Sequence, residues 1–181
     1  GIRMIDLLNP EILREKIEKN LKVKNALFEK YYGKPALNID EVYREFLEIG
    51  QQLKNRIVDT ELELNEAIKE GKNILFEGAQ ALMLDIDFGT YPFVTSSSPS
   101  TGGVCTGAGI PPTSLQNLIG VAKAYCTRVG NGPFPSELND ELGEKIRQVG
   151  HEFGATTGRP RRTGWLDLVS LKHACMINGI N

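Results

Sequence analysis

The stretch Asn73–Gln80, which reads NILFEGAQ, marks the point where the chain changes from helical to mixed character. Three apolar residues, Ile74 to Phe76, lead directly into the polar turn Glu77–Gln80. A buried parallel strand leads into a ligand-facing turn in this way. The stretch therefore predicts that an α/β segment begins near residue 73 and that its first turn faces a ligand.

The residues before this stretch predict a helical subdomain over residues 1–72. They hold only 4 of the 19 glycines of the chain. Apolar residues recur at helical spacing in three stretches, and the charges between them alternate in sign, as on a solvated helix face. The predicted boundaries are Asn9 as cap for a helix from Pro10, Asn38 or Asp40 as the second cap, and Gly71 as the end of a helix from Thr60.

The residues after it predict an α/β segment over residues 73–181. A long stretch from Asp85 to Pro112 is rich in Gly, Ser, Thr and Pro, which is typical of a functional loop. The further predictions are a helix running into a strand over Leu115–Arg128, and helices over Glu141–Val149 and Leu166–Ile177. The predicted fold class is α/β, with part of a mostly parallel sheet flanked by helices.

The stretch Gly154–Trp165 places three glycines, three threonines and three arginines in twelve residues. Glycine lets the backbone approach a ligand closely, and arginine binds carboxylate or phosphate oxygens two at a time. An arginine-rich turn that works by charge alone does not need the interleaved small residues. We therefore favour an anion-binding loop over a solvated basic turn or a short nucleic-acid or targeting patch.

Composition excludes several classes of protein. The formal net charge of −2 gives no indication of nucleic-acid binding, and no apolar run is long enough to span a membrane. The three cysteines are odd in number and widely spaced, as in a reduced cytoplasmic protein. With two histidines and no paired cysteines, a zinc site is not expected.

Several motifs in order resemble the adenylosuccinate synthetase family over essentially the whole chain. Besides the strand and turn Leu75–Gln80 and the loop from Gly154 through Asp167, the matching stretches are Leu84–Asp87, Gly89–Ser97, Ala124–Gly130 and Gly132–Pro135. Two residues depart from the family pattern, Ala81 for glycine and Phe88 for histidine. Neither falls at an expected ligand contact.

The resemblance implies a GTP-dependent ligase that joins IMP and L-aspartate after phosphorylating the 6-oxygen of IMP. It places Gln80 at that oxygen, where the side-chain amide would stabilise developing charge. It places Thr95 at the IMP phosphate and the backbone of Val129 at the ribose. Without the resemblance, these residues would be a strand-end amide, a loop hydroxyl and an apolar strand end.

The resemblance also makes residues 155–161 an aspartate-binding loop that closes on its substrate. The members of this predicted site are Ala155, Thr156, Thr157, Gly158, Arg159, Pro160 and Arg161. Arg159 is expected to contact IMP as well, and Arg161 to contact GTP. Arg162 is expected to form a structural ion pair instead.

The family implies further parts that we do not find in this sequence. These are a P-loop-like segment with the catalytic aspartate, which is also the Mg²⁺ ligand, the catalytic histidine, and a Thr-Lys-x-Asp stretch that reads guanine. We therefore expect a central fragment of a homodimeric enzyme, with Arg3 near the subunit interface and no turnover by the fragment alone. The alternative is a non-enzymatic nucleotide- or anion-binding module, and RNA binding is disfavoured because no aromatics cluster at the arginines.

Overall fold

The computed structural model describes residues 1–155 and 158–180, which form two compact units. The first unit is Gly1–Asp59, and the second begins at Thr60. The sequence predicts a boundary after residue 72. In the structure, the helix that starts at Thr60 belongs to the second unit.

The first unit is a helical hairpin preceded by a short 3-10 turn. The turn spans Met4–Leu8, helix α1 spans Pro10–Lys30 and helix α2 spans Ile39–Leu53, followed by a 3-10 turn at Lys54–Arg56. The predicted caps are present: the Asn9 side chain accepts from Ile12 N, and the Asn38 side chain accepts from the N–H groups of Asp40 and Glu41. Both helices therefore begin where the sequence predicts.

The core of this unit is formed by the inner face of α1. Leu13 and Ile17 are completely or almost completely buried, and Leu7 and Leu21 join them in one apolar cluster. Partly buried apolar residues of α2 pack against this cluster. Gly50 allows α2 to lie close to the 3-10 turn at Met4–Leu8, because a Cβ at this position would lie 2.5 Å from the Leu7 carbonyl oxygen.

Within its described residues, the second unit combines four helices with two short strands and contains the loops of interest. Its helices are α3 (Thr60–Lys69), α4 (Thr101–Ala108), α5 (Glu141–Val149) and α6 (Leu168–Asn178). Its strands are β1 (Tyr125–Arg128) and β2 (Arg162–Trp165), and 3-10 turns lie at Leu82–Leu84 and Pro112–Ser114. The predicted α5 and α6 are confirmed, and Asp167 caps α6 by accepting from Ser170 N.

The two strands pair in antiparallel fashion, from Tyr125 opposite Trp165 to Arg128 opposite Arg162. The chain is therefore of mixed α and β structure. The predicted parallel pairing is not present within residues 1–155 and 158–180, where this antiparallel pair is the one sheet. The apolar run Ile74–Phe76 has no strand partner among these residues.

The helix expected at the start of Leu115–Arg128 is wrong, because residues 115–123 have no regular structure. Gly120 interrupts this stretch, and the β-branched Ile119 and Val121 beside it also disfavour a helix. These two side chains are 84% and 96% exposed. In the part of the chain that the structure covers, we find no helix with the length and apolar character needed to cross a membrane.

Candidate functional site

Gln80 and Thr95, two of the predicted nucleotide residues, lie in direct contact. Gln80 Nε2 donates to Thr95 Oγ1 at 3.2 Å, and Ser97 Oγ donates to Gln80 Oε1 at 3.1 Å. Gln80 has a φ of 71°, a left-handed backbone conformation that costs energy for a residue with a side chain. Such strain at an exposed polar residue is typical of functional sites and supports a ligand-binding role for this turn.

The loop that carries Thr95 is organised around the buried carboxylate of Asp85. This carboxylate accepts from the N–H groups of Asp87 at 2.9 Å, Phe88 at 3.2 Å and Ser100 at 3.2 Å. Burial opposes ionisation of Asp85, but these backbone hydrogen bonds outweigh it and hold its pKa below the ordinary value. In addition, Thr95 N donates to the Leu84 carbonyl oxygen at 2.8 Å. These hydrogen bonds give the loop an ordered structure.

A hollow of about 390 Å³ lies beside Thr95. Its wall includes Leu84, Phe93 and Thr95 from this loop, and Arg128 and Val129 from the end of β1. The hollow is wide open to solvent in this chain. The hollow therefore brings together two residues predicted to bind the nucleotide, Thr95 and Val129, with Gln80 bonded to the first of them.

The second predicted site is a hairpin that we call the arginine hairpin, residues 152–162. Gly154 N donates to the Arg159 carbonyl oxygen and Gly158 N to that of Gly154, both at 2.8 Å. Gly158 has a φ of 64°, which glycine adopts without strain. Thr156 and Thr157, both predicted to bind aspartate, lie outside the described residues.

The buried carboxylate of Glu152 fixes the base of this hairpin. Its Oε1 accepts from Lys123 Nζ and Tyr125 OH, and its Oε2 accepts from Arg161 Nη1, all at 2.7 Å. Burial raises the pKa of Glu152, but the three donors outweigh burial and lower it to about 2. Arg161 therefore forms an ion pair within the protein through its Nη1.

The register of the strand pair places the hollow and the arginine hairpin at the same end. Arg128, the last residue of β1, pairs with Arg162, the first residue of β2. Val129 follows β1 into the wall of the hollow, and Arg161 precedes β2 at the base of the hairpin. Two stretches more than 30 residues apart in sequence thereby become neighbours.

Arg162 forms the structural ion pair that the sequence predicts. Its Nε and Nη2 donate to the two carboxylate oxygens of Glu137 at 2.7 and 2.5 Å, and the hydrogen bond to Glu137 raises the pKa of Arg162. Sequence reasoning did not single out Arg128, Asp85 or Glu152. Arg128 and Asp85 each lie in a quoted motif, so their positions were the available signal, whereas Glu152 gave none.

The sequence matches the model of one protein family over residues 1–181, and that family consists of ligases of purine biosynthesis. That family is adenylosuccinate synthetase, and the chain belongs to it. The adenylosuccinate synthetases of Streptococcus gordonii and of a Geobacillus species are each 56% identical to it over 180 residues. These matches cover 99% of this chain and 42% of each relative, so the chain spans about two fifths of their length.

Solved structures agree with this assignment. The fully ligated adenylosuccinate synthetase of Plasmodium falciparum superposes with a TM-score of 0.89 at 43% identity, covering 99% of this chain and 42% of that one. The succinoaminodeoxyadenylate synthetase of cyanophage S-2L shares the fold over 73% of the chain, with a TM-score of 0.58 at 22% identity. The chain therefore adopts the structure of one segment of a longer family fold.

Proposed function

We propose that this chain supplies part of the IMP and aspartate sites of a GTP-dependent ligase that forms adenylosuccinate in AMP biosynthesis. The single observation that carries the proposal is the β1–β2 register, which puts the hollow beside Thr95 next to the arginine hairpin. A purine nucleotide and a dicarboxylic amino acid have to meet for a carbon–nitrogen bond to form, and these two features lie at one end of one strand pair.

In this proposal Gln80 stabilises the 6-oxygen of IMP. Ser97 Oγ donates to Gln80 Oε1, which leaves the side-chain N–H groups of Gln80 as the donors of this amide. One N–H contacts Thr95, and the other is available for a developing negative charge. A neutral amide does not titrate near neutral pH, which suits an electrostatic role.

The proposal requires Gln80 to leave Thr95 when IMP binds. The 6-oxygen and the 5′-phosphate lie at opposite ends of the nucleotide, whereas Gln80 Nε2 and Thr95 Oγ1 are 3.2 Å apart. If Gln80 binds the oxygen and Thr95 the phosphate, the nucleotide has to replace this hydrogen bond. Breaking one exposed neutral hydrogen bond costs about 1 kcal/mol, which a charge-assisted phosphate contact offsets.

The aspartate site is proposed at residues 155–161, with Arg159 and Arg161 binding its two carboxylates. Two carboxylates on a small substrate need more than one cation. Arg161 Nη1 is held by Glu152, so its remaining N–H groups would meet the substrate or GTP. The same hairpin thus has one arginine at its base and another, Arg159, towards its tip.

The other parts of the proposal concern the longer enzyme. We propose that residues 73–79 and 115–124 become strands of a mostly parallel sheet when further chain pairs with them, and that the enzyme is a cytoplasmic homodimer. Among the described residues no group of three or more His, Cys, Asp or Glu side chains could hold a metal ion. We propose that the ligands of the Mg²⁺ ion that the family implies lie outside this chain, so we assign no step to the metal here.

A graft tests the proposal. The full-length Streptococcus gordonii synthetase is prepared with its matching segment replaced by this chain, and adenylosuccinate is measured with GTP, IMP and aspartate. We expect turnover by the graft and none by the 181-residue chain alone. A folded graft that forms no adenylosuccinate contradicts the ligase, and IMP binding by that graft would favour a non-enzymatic nucleotide-binding module.

Within the active graft, Gln80→Leu tests the proposed catalytic residue. Loss of one donor at a developing charge lowers kcat about 10²- to 10³-fold. The matched control is Gln52→Leu on the exposed face of α2, which should leave kcat unchanged. An unaltered kcat in Gln80→Leu would show that Gln80 has no part in the chemical step.

A further inference from the structure

Arg128 is a half-buried cation in the wall of the hollow that also contains Thr95. Its Nε donates to the Asn131 carbonyl oxygen at 3.1 Å. Its Nη2 donates to Thr90 Oγ1 at 2.9 Å and to the Phe93 carbonyl oxygen at 3.0 Å. These three acceptors are neutral, so they fix the guanidinium in place without neutralising its charge.

The charge of Arg128 differs in this respect from that of its strand neighbour. Arg162, directly opposite in the register, is neutralised by both oxygens of Glu137. No carboxylate within residues 1–155 and 158–180 forms an ion pair with Arg128. Burial, and then the positive charge of Arg162, lower the pKa of Arg128. The surroundings therefore disfavour the charged form of this guanidinium.

The backbone at Gly132 is shaped to admit this side chain. Gly132 has a φ of 116°, which residues with a Cβ rarely adopt. A Cβ built at Gly132 would lie 2.7 Å from Arg128 Cζ and 2.9 Å from its Nε. The turn after β1 therefore holds the guanidinium in position, and a larger residue at 132 would displace it.

The free donors of Arg128 are on Nη1. An arginine has five N–H groups, and the bonds described above use those of Nε and Nη2. Among the described residues no hydrogen bond uses Nη1. A fixed cation with two donors left, in the wall of a hollow that also offers a threonine hydroxyl, has the chemistry of a phosphoryl-binding site.

We propose that Arg128 is a specificity-determining residue, which makes this hollow select a phosphorylated nucleoside over the same nucleoside without phosphate. The proposal rests on the proposed function, since it takes IMP as the ligand of the hollow. Arg128 would add a positive charge to the hydrogen bond that the uncharged Thr95 hydroxyl donates to the phosphate. It follows that the residue acts on the phosphate alone and leaves recognition of the base and ribose unchanged.

The test compares IMP with inosine in the full-length graft, by equilibrium dialysis. Arg128→Gln should raise the Kd of IMP roughly 10- to 100-fold, the effect of losing a hydrogen bond to a charged group. The Kd of inosine should not change, so the preference for IMP falls by the same factor. The control Arg44→Gln removes an equal charge from an exposed position on α2 and should alter neither Kd.

A purely structural role predicts a different result. If Arg128 only holds the loop at Thr90 and Phe93, both ligands weaken by one factor and the preference for IMP stays, which would overturn the proposal. An unchanged Kd for IMP would overturn it as well. If Arg128→Gln does not fold, Gly132→Ala displaces the guanidinium with its charge retained, and it should lower the same preference.

Failure of the proposal can be told apart from failure of the ligase assignment. An unsubstituted graft that does not bind IMP contradicts the proposed function itself. An unsubstituted graft that binds IMP and forms adenylosuccinate, while Arg128→Gln keeps its preference for IMP, contradicts only the role of Arg128.

Discussion

At the scale of single residues, the second unit depends on two buried carboxylates that sequence reasoning did not assign. Glu152 and Asp85 are 3% and 0% exposed. A carboxylate is buried only where donors replace its hydration, and each of these has three. One orders the loop that carries Thr95 and the other fixes the base of the arginine hairpin. Both proposed ligand sites are therefore positioned by groups that need not touch a ligand.

Glu152→Gln tests this positioning through pH. The folded pKa of about 2 lies below the unfolded value of 4.5, so ionised Glu152 stabilises the fold above pH 4.5 and loses that effect as pH falls towards 2. The shift corresponds to roughly 3 kcal/mol, so we expect a loss of about that size at neutral pH. Urea unfolding should show the two proteins converging between pH 4.5 and 2, as Gln mimics the protonated acid. A difference that is constant with pH would contradict this role.

At the scale of elements, strand β2 pairs with β1 on one edge and forms hydrogen bonds with the segment around Ser136 on its other edge. Trp165 N donates to the Ser136 carbonyl oxygen at 3.0 Å, and Leu138 N to that of Thr163 at 2.9 Å. Between these bonds lies Gly164, buried against Ser136 and Glu137. This close backbone approach also places Glu137 where it binds Arg162.

Gly164→Ala should therefore disrupt the pair. A Cβ at this position would collide with the Ser136 carbonyl oxygen, and overpacking of this kind costs about 1–3 kcal/mol. Gly107→Ala is the control, because nothing lies within 4 Å of its Cβ and alanine favours a helix by up to about 1 kcal/mol. Urea denaturation should show a loss for the first variant and none for the second. Equal stability of Gly164→Ala would mean that the backbone approach is not needed.

Some helix boundaries could be predicted from the sequence, whereas helix α4 could not. The caps at Asn9 and Asn38 were predictable, because a capping side chain bonds to a backbone N–H only two or three positions ahead. Helix α4 was not, since three of its eight residues are glycines and it lies within a predicted loop. The backbone N–H of Thr101 at its start bonds to Asn178 Oδ1 at 2.7 Å, a contact between residues 77 positions apart. Local patterns contain no signal for such a contact.

At the scale of the whole molecule, the chain exposes several large apolar side chains. Leu75, Ile119 and Val121 are 87%, 84% and 96% exposed, all in segments without strand partners. The relatives are more than twice as long, which is consistent with further chain covering these segments. The sequence identifies such residues as strand-like, but a local apolar pattern does not say which segment pairs with them.

This exposure predicts that the 181-residue chain self-associates. Light scattering at several concentrations should show a mass that rises with concentration, because unpaired apolar strands associate edge to edge. Val121→Lys should reduce the rise, since a charged side chain opposes such pairing. Val23→Lys, at a 64% exposed position on α1, is the control and should not reduce it. A monomeric mass at every concentration would mean that these segments do not drive self-association.

The pairing of Arg128 with Arg162 also has a consequence for protein engineering. Inserting or deleting a single residue in either strand would turn the following side chains to the opposite face. Such a change would disturb the hollow and the hairpin together, even if it were intended for one of them. Chimeras between relatives should therefore exchange residues 125–165 as one cassette, and recombination breakpoints belong outside it.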